Sequence, residues 1–375
     1  MSFYKILQSH SWDEVSASIE NKSSRDVEFA LSKNYVDMED FKALLSPAAD
    51  AYLEPMAQKS QLITSRRFGK TVQLYIPLYL SNFCQNRCVY CGFSGNNKIK
   101  RKVLSMQELE QEAKIIRKDP YRHILLVTGE APAKAGVDYF IDALRTLHPY
   151  FSQVSLEVQP MDTEDYMRLV KEGLHAVYVY QETYNQETYP NYHPFGKKAD
   201  FQYRLETPER LGEAGVRKIG LGNLIGLENW RTEAWFTGLH IQYLRKKYWQ
   251  AKYSVSFPRL RPFAGEGFQP RYETSERNLT QLITAYRLFD NDLELSLSTR
   301  ESPFYRDNVF PIGITSMSAG SKTEPGGYSD SGELEQFAIN DDRSPKEVAE
   351  VIKSKGFDAV WKDWSLSLQA ETHKV

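Results

Sequence analysis

From residue 71 onward the chain repeats one pattern: a short β-rich run, a polar stretch, then a helical segment. The β-rich runs are "VQLYIPLYL" (72–80), "HILLVTGE" (123–130), "QVSLEVQP" (153–160) and "AVYVYQET" (176–183). They continue with "KIGLGNLIG" (218–226), "YSVSFPRL" (253–260), "LELSLSTR" (293–300) and "GITSMSAG" (313–320). Strands joined through helices lie parallel, and eight such units in succession predict an α/β fold, a (β/α)8 TIM-type barrel. Punctuation between the runs agrees. "SMQE" (105–108) is a capping box, Thr207 reads as an N-cap with Pro208 at the first helical position, and Gly173 and Gly215 fall where helices should stop.

Two helices are expected ahead of the barrel, one opened by the capping box "SWDE" (11–14) and one in "MEDFKALLSP", ending before Pro47. Segment 344–364 reads as one more helix and a short extended tail. The expected organisation is an N-terminal helical extension (1–70), a barrel (71–325) and a C-terminal segment packed on it (326–375). A formal net charge of -2 points to neither nucleic acid nor an anionic membrane as partner. The longest apolar runs, such as "LYIPLYL", are too short to span a bilayer, and the first residues lack the apolar core of a signal peptide, so a cytoplasmic location is expected.

In barrels of this kind the active site lies at the C-terminal ends of the strands. That rim would gather Glu130, Glu157, Gln159, Gln181, Glu182, Asn223, Arg259, Arg261, Ser298 and Arg300, and the loop after the first strand. This first loop holds every cysteine of the 375-residue chain: Cys84, Cys88 and Cys91, spaced C-x3-C-x2-C. Three thiols cannot all pair with one another, which favours metal binding or redox chemistry. A closed zinc site wants a fourth ligand, and the loop offers neither a second cysteine pair nor a histidine. An iron–sulfur cluster on three cysteines keeps one iron open for a ligand.

"CQNRCVYC", with Tyr90 before the last cysteine, resembles the signature of the radical S-adenosylmethionine (SAM) superfamily. The resemblance implies a [4Fe–4S] cluster on Cys84, Cys88 and Cys91, with SAM on the open iron. Over nearly the whole length, stretches such as "RFGKTVQLYIPLYLSNFC", "KIGLGNLIGL", "YSVSFPRLRP", "LSLSTRES" and "SAGSKTEPGGY" are similar to the 2-iminoacetate synthase (tyrosine lyase) family of thiamine biosynthesis. That likeness implies cleavage of the Cα–Cβ bond of L-tyrosine to 2-iminoacetate and p-cresol, with 5′-deoxyadenosine and methionine as co-products. A related hydrogenase maturase carries a second cluster on C-terminal cysteines. No cysteine follows Cys91 here, which implies the simple lyase.

The resemblance also implies roles for rim residues. Gly129 and Glu130 of "VTGE" match a strand end that contacts the methionyl ammonium, although Thr128 stands where a glycine is usual. Tyr90 and Glu157 join the cofactor-binding set; Glu182 would bind the ribose and Arg204 the methionyl carboxylate. The glycines of "GLGNLIGL" would let backbone approach the adenine. Arg300, with Ser298 on the same face, would clamp the tyrosine carboxylate, with Lys322, Arg259 and Arg261 as alternatives. The tyrosine-rich stretch 178–194 reads as a packed loop without chemistry. Implied partners are L-tyrosine, thiazole synthase and an electron donor such as flavodoxin, with no nucleic acid and no membrane. From the residues alone, the same rim suits an enzyme acting on tryptophan or another amino acid, and a zinc-stabilised binding barrel stays open.

Overall fold

The computed structural model describes residues 2–263, 268–329 and 335–362. Each of the eight β-rich runs contains a strand: β1 (Thr71–Ser81), β2 (His123–Thr128), β3 (Gln153–Glu157), β4 (Ala176–Tyr178), β5 (Lys218–Gly222), β6 (Lys252–Ser256), β7 (Glu294–Leu297) and β8 (Ser316–Ser318). All pair in parallel, in the order β2-β3-β4-β5-β6-β7-β8-β1, and β1 pairs again with β2 to close the ring. The expected barrel is therefore what forms. The tail after residue 344 does more than extend: β9 (Asp358–Val360) pairs with Thr71–Gln73 of β1, below the point where β2 begins to pair with it.

The inner wall of the barrel is unequal. Tyr75, Pro77 and Tyr79 of β1 alternate inward, as do Tyr178 and Tyr180 at β4. Facing them, β6 to β8 contribute Ser256, Ser296, Ser298 and Ser318. Tyr75 and Tyr180 reach across to Ser296 at 3.3 Å and Ser256 at 3.1 Å. On β5 the inward positions are Lys218 and two glycines, Gly220 and Gly222. A Cβ on Gly220 would lie 2.0 Å from the Tyr178 ring, and one on Gly222 would lie 2.9 Å from the Tyr180 ring. Gly220 and Gly222 thus make room for the rings of Tyr178 and Tyr180. Small residues on half the ring leave space that the tyrosines only partly fill.

Five helices precede the barrel: α1 (Phe3–Leu7), α2 (Trp12–Glu20), α3 (Ser24–Ser32), α4 (Met38–Leu45) and α5 (Leu53–Phe68). Only α2 and α4 were legible as helices. α1 is too short to show a period, and α3 and α5 present charged or polar residues at most positions. These helices cover barrel helices that are apolar on more than one side. Phe3 stacks on His240 at 3.8 Å, Trp12 on Phe236 at 5.5 Å and Phe41 on Phe289 at 4.4 Å.

Two caps differ from expectation. Ser11 accepts from the Glu14 amide, but no return bond completes a box. Thr207 lies inside its helix, Thr207–Glu213, and donates back to the Tyr203 carbonyl, because a short helix (Phe201–Leu205) already occupies the preceding turn. The box at Ser105 forms in full, and Gly173 and Gly215 take the left-handed conformation expected of helix stops. Among the described residues no helix is long and apolar enough to cross a membrane.

Candidate active site

The β1–β2 pairing shifts by one residue between Tyr79 and Ser81, a bulge that turns the chain as it leaves the barrel. The cysteine loop begins at once and is tied down on all sides. The Gln85 amide donates to the Glu130 carbonyl at 2.9 Å, Arg87 to Phe195 at 3.2 Å and Val89 to Tyr192 at 3.2 Å. Arg101 gathers the loop from within, donating to the carbonyls of Asn82, Phe93, Ser94 and Asn97. Gly129 has a steric reason to be glycine: a Cβ there would lie 2.3 Å from the Phe83 carbonyl oxygen.

The loop roofs a cavity of about 130 Å³. All three cysteines line it, with Tyr90, Gly129, Glu130, Glu157, Glu182 and Arg300. A second, inner chamber of about 70 Å³ lies deeper in the barrel and holds Ser298. Glu157, Tyr180, Arg300, Pro258 and Phe337 border both, so one space continues from the cysteines into the barrel. Desolvation pushes the Cys84 thiol up to about 11 and raises Cys88 and Cys91 as well. Thiols so disposed become thiolates when a cationic cluster compensates them.

Charge on the outer chamber is arranged in one network. Arg204 donates to Glu130 at 2.8 Å and to the Tyr180 carbonyl at 2.7 Å, and its free edge stands 3.8 Å from Glu182. It lies behind Glu130 rather than on the cavity wall. Lys198, which the sequence did not single out, reaches Glu182 at 2.6 Å and lines the cavity. Burial pushes Glu130 up, yet the charges of Arg204 and Lys198 and bonds from Arg204 and Asn86 hold it below the usual carboxylate range. Glu182 is the only described non-glycine residue with positive φ, at 71°, the kind of strain that surrounding structure must impose. Tyr90 places its hydroxyl 2.7 Å from His193 Nε2. Thr128 Oγ1 is buried on the cavity wall with no hydrogen-bond partner.

On the shared wall, Arg300 stacks on Phe337, its guanidinium carbon 3.4 Å from the ring centre, and donates weakly to the Arg259 carbonyl at 3.3 Å. No acidic side chain forms a salt bridge with it among the described residues. Glu301, the neighbour best placed in sequence to do so, is taken by Arg259 instead. Of the other cations considered for the clamp, Arg261 lines the outer chamber, while Lys322 is exposed and borders neither space. Desolvation drives the Glu157 carboxyl up to about 7. Tyr180, assigned no chemistry from sequence, belongs to the wall of both chambers. Gln336 bridges them, accepting from Tyr79 at 2.8 Å and directing its amide at Cys91 Sγ, 3.7 Å away.

A family model for the radical SAM superfamily matches residues 78–234, and one for the biotin and thiamin synthesis associated domain matches residues 256–358. The 2-iminoacetate synthase of Escherichia coli (strain K12) is 52% identical over 366 residues, covering 97% of both chains. The enzyme of the same name from Salmonella typhimurium is 51% identical over 94% of each. The chain belongs to the 2-iminoacetate synthase family. Among solved structures, HydG, a maturase of the [FeFe]-hydrogenase, superposes with a TM-score of 0.88 at 29% identity, covering 93% of this chain and 80% of that one. Methylornithine synthase (PylB) shares the fold, with a TM-score of 0.73 at 20% identity over 92% and 99% of the two chains.

As a radical SAM protein, the chain uses a [4Fe–4S] cluster and SAM. The residues present suit both. Three thiols border a single cavity, whose far wall offers carboxylates, Lys198 and the unpartnered Thr128 hydroxyl to a polar zwitterion.

Proposed function

We propose that the chain cleaves the Cα–Cβ bond of L-tyrosine, releasing 2-iminoacetate (dehydroglycine) and p-cresol and supplying the thiazole moiety of thiamine. The observation that carries this reading is Arg300: a recessed guanidinium with no ion pair among the described residues, where the two chambers meet. Charges withdrawn from water are normally paired, so its natural partner is the carboxylate of an amino acid. With that carboxylate fixed on the shared wall, the tyrosine ring has one direction open to it. It enters the inner chamber among Tyr75, Leu125 and Val127, while the amino group stays at the boundary with the cysteine chamber.

Cys84, Cys88 and Cys91 hold the cluster, and Glu130 and Glu182 take the ammonium and ribose of SAM, with Tyr90 and Gly129 shaping its seat; Arg204, set behind the wall, holds Glu130 in position rather than meeting the methionyl carboxylate itself. Bound there, the two cofactors supply one-electron chemistry that the protein's own side chains lack. Ser298 supports the clamp from two residues away on the same face. Glu157 on the shared wall, with a carboxyl near neutrality, is placed to accept a proton from the substrate ammonium. The barrel wall shields the reacting groups from water, which would hydrolyse 2-iminoacetate. Direct delivery to thiazole synthase, with flavodoxin as electron source, follows from that instability and from the need for a reductant.

Anaerobic incubation of the reconstituted protein with SAM, a reductant and tyrosine should yield p-cresol, 5′-deoxyadenosine and glyoxylate, the hydrolysis product of 2-iminoacetate. Turnover of tryptophan in place of tyrosine, with no p-cresol formed, would transfer the assignment to a different aromatic amino acid.

A further inference from the structure

We propose that the outer face of the cysteine loop is the docking surface for an acidic one-electron donor protein. The inference rests on the radical-enzyme reading, which requires such a donor, and adds where it binds and what recognises it. Between Cys84 and Cys88 the chain exposes Gln85 and Arg87, the sequence neighbours of these two cysteines, and Cys84 is itself only partly buried. Two further segments are stitched to this one. Arg87 bonds to the Phe195 carbonyl and covers the Phe195 ring at 4.3 Å, while the Lys198 amide bonds to Asn86 Oδ1 at 3.0 Å. From the other side Lys134 lies 5.6 Å over the Phe83 ring.

The surface so formed carries two aromatic rings under cations, exposed Phe195 beneath Arg87 and Phe83 beneath Lys134, with exposed Lys197 two residues beyond Phe195 in a groove it shares with Gln85 and Asn86. None of the three cations forms a salt bridge among the described residues. Lys98 continues the positive charge along the same loop, while the neighbouring segments also expose the acids Asp138, which pairs with Arg168, Glu187, Asp200 and Glu335. On a chain of formal net charge -2 this concentration is local, and Arg87 and Lys98 belong to the cysteine loop itself. A basic surface steers an acidic partner and fixes its orientation, and the aromatic rings give it something to close upon. One electron leaves the reduced donor, which is oxidised by one equivalent, and reduces the cluster on Cys84, Cys88 and Cys91; no atom is transferred.

The test uses the reconstituted enzyme with flavodoxin as the acidic probe and dithionite as a small reductant. Affinity for oxidised flavodoxin is measured by titration at low and high salt, for the wild type and for the Arg87→Glu/Lys134→Glu/Lys197→Glu variant. The wild-type affinity should fall steeply with salt, and the variant should bind about tenfold more weakly or worse at low salt. Flavodoxin-driven turnover should fall in parallel, while dithionite-driven turnover stays at the wild-type level. Salt-independent wild-type binding, or an unchanged affinity in the variant, overturns the proposal. Single Lys134→Ala and Lys197→Ala variants give the same reading with less disturbance. Binding is read without reference to tyrosine, so a wrong substrate assignment would leave this result intact.

Discussion

Arg204 donates to Glu130 at 2.8 Å, tying the end of β2 to the helix that follows β4 beneath the cysteine loop. Arg204 is 6% exposed and Glu130 13%, so neither charge has bulk water to fall back on. Arg204→Met should therefore cost about 3–5 kcal/mol, read from the urea midpoint, because it strands a carboxylate. Glu130 has a lowered pKa in the fold, so the pair's contribution is present above the ordinary carboxylate pKa and is lost as pH falls through the folded value. Arg204→Met combined with Glu130→Gln should recover part of the loss, while SAM affinity stays impaired.

Each of Cys84→Ala, Cys88→Ala and Cys91→Ala should abolish the brown colour, bind well under the about four irons of a full cluster and stop SAM cleavage. The three thiols border one cavity, and no other cysteine exists to substitute. Normal turnover by any one variant would contradict the cluster assignment.

Arg300→Lys should separate substrate binding from cofactor binding. A lysine loses the planar fork and the stack on Phe337, so kcat/KM for tyrosine should drop about tenfold or more. The SAM dissociation constant, measured without tyrosine, should change by less than about twofold, since such a clamp meets the other ligand.

Glu157→Gln addresses the proton. The wild-type kcat/KM profile should show an ionisation near pH 7, matching a carboxyl that desolvation has pushed up to about 7, and the variant should lack it. Stability of the two proteins at pH 6 would show that the fold is intact.

Glu233 supplies a pH effect away from the chemistry. It is buried, accepts from Thr183 and the Tyr184 amide, and desolvation raises its pKa from 4.5 to about 8. The unfolded chain gives up this proton first, so its contribution to stability is complete below pH 4.5 and is lost as pH rises to about 8. Glu233→Gln should flatten the decline of the melting temperature over that window.

The barrel was legible because each run carried its own turn and cap signals, and because parallel strands buried on both faces read as apolar runs. That the three cysteines would gather in one loop at the strand ends was legible from their spacing, while the cluster they would hold came from the family resemblance. The space inside the barrel was present but unread: "YSVS", "LSLS" and "TSMS" place a serine at every second position on three successive strands, opposite the tyrosines of β1 and β4. Lys198 could not be told from Lys197 by sequence. The difference arises because Gly196, at φ 95°, packs so closely on Asn86 that a Cβ would lie 2.2 Å from its side-chain oxygen, which turns one lysine inward and leaves the other outside. Gln336 approaches Cys91 across 245 positions of sequence, and no local pattern encodes such a contact.

The central claim is that tyrosine sits with its carboxylate on Arg300 and its amino group at the boundary between the chambers. The most direct measurement is the fate of deuterium. With the reaction run in D2O, where the amine protons exchange, 5′-deoxyadenosine should be recovered monodeuterated. With tyrosine deuterated at Cβ and on the ring and the reaction run in H2O, it should carry no label. Label arriving from Cβ or the ring would place the wrong end of the substrate at the boundary and contradict this arrangement.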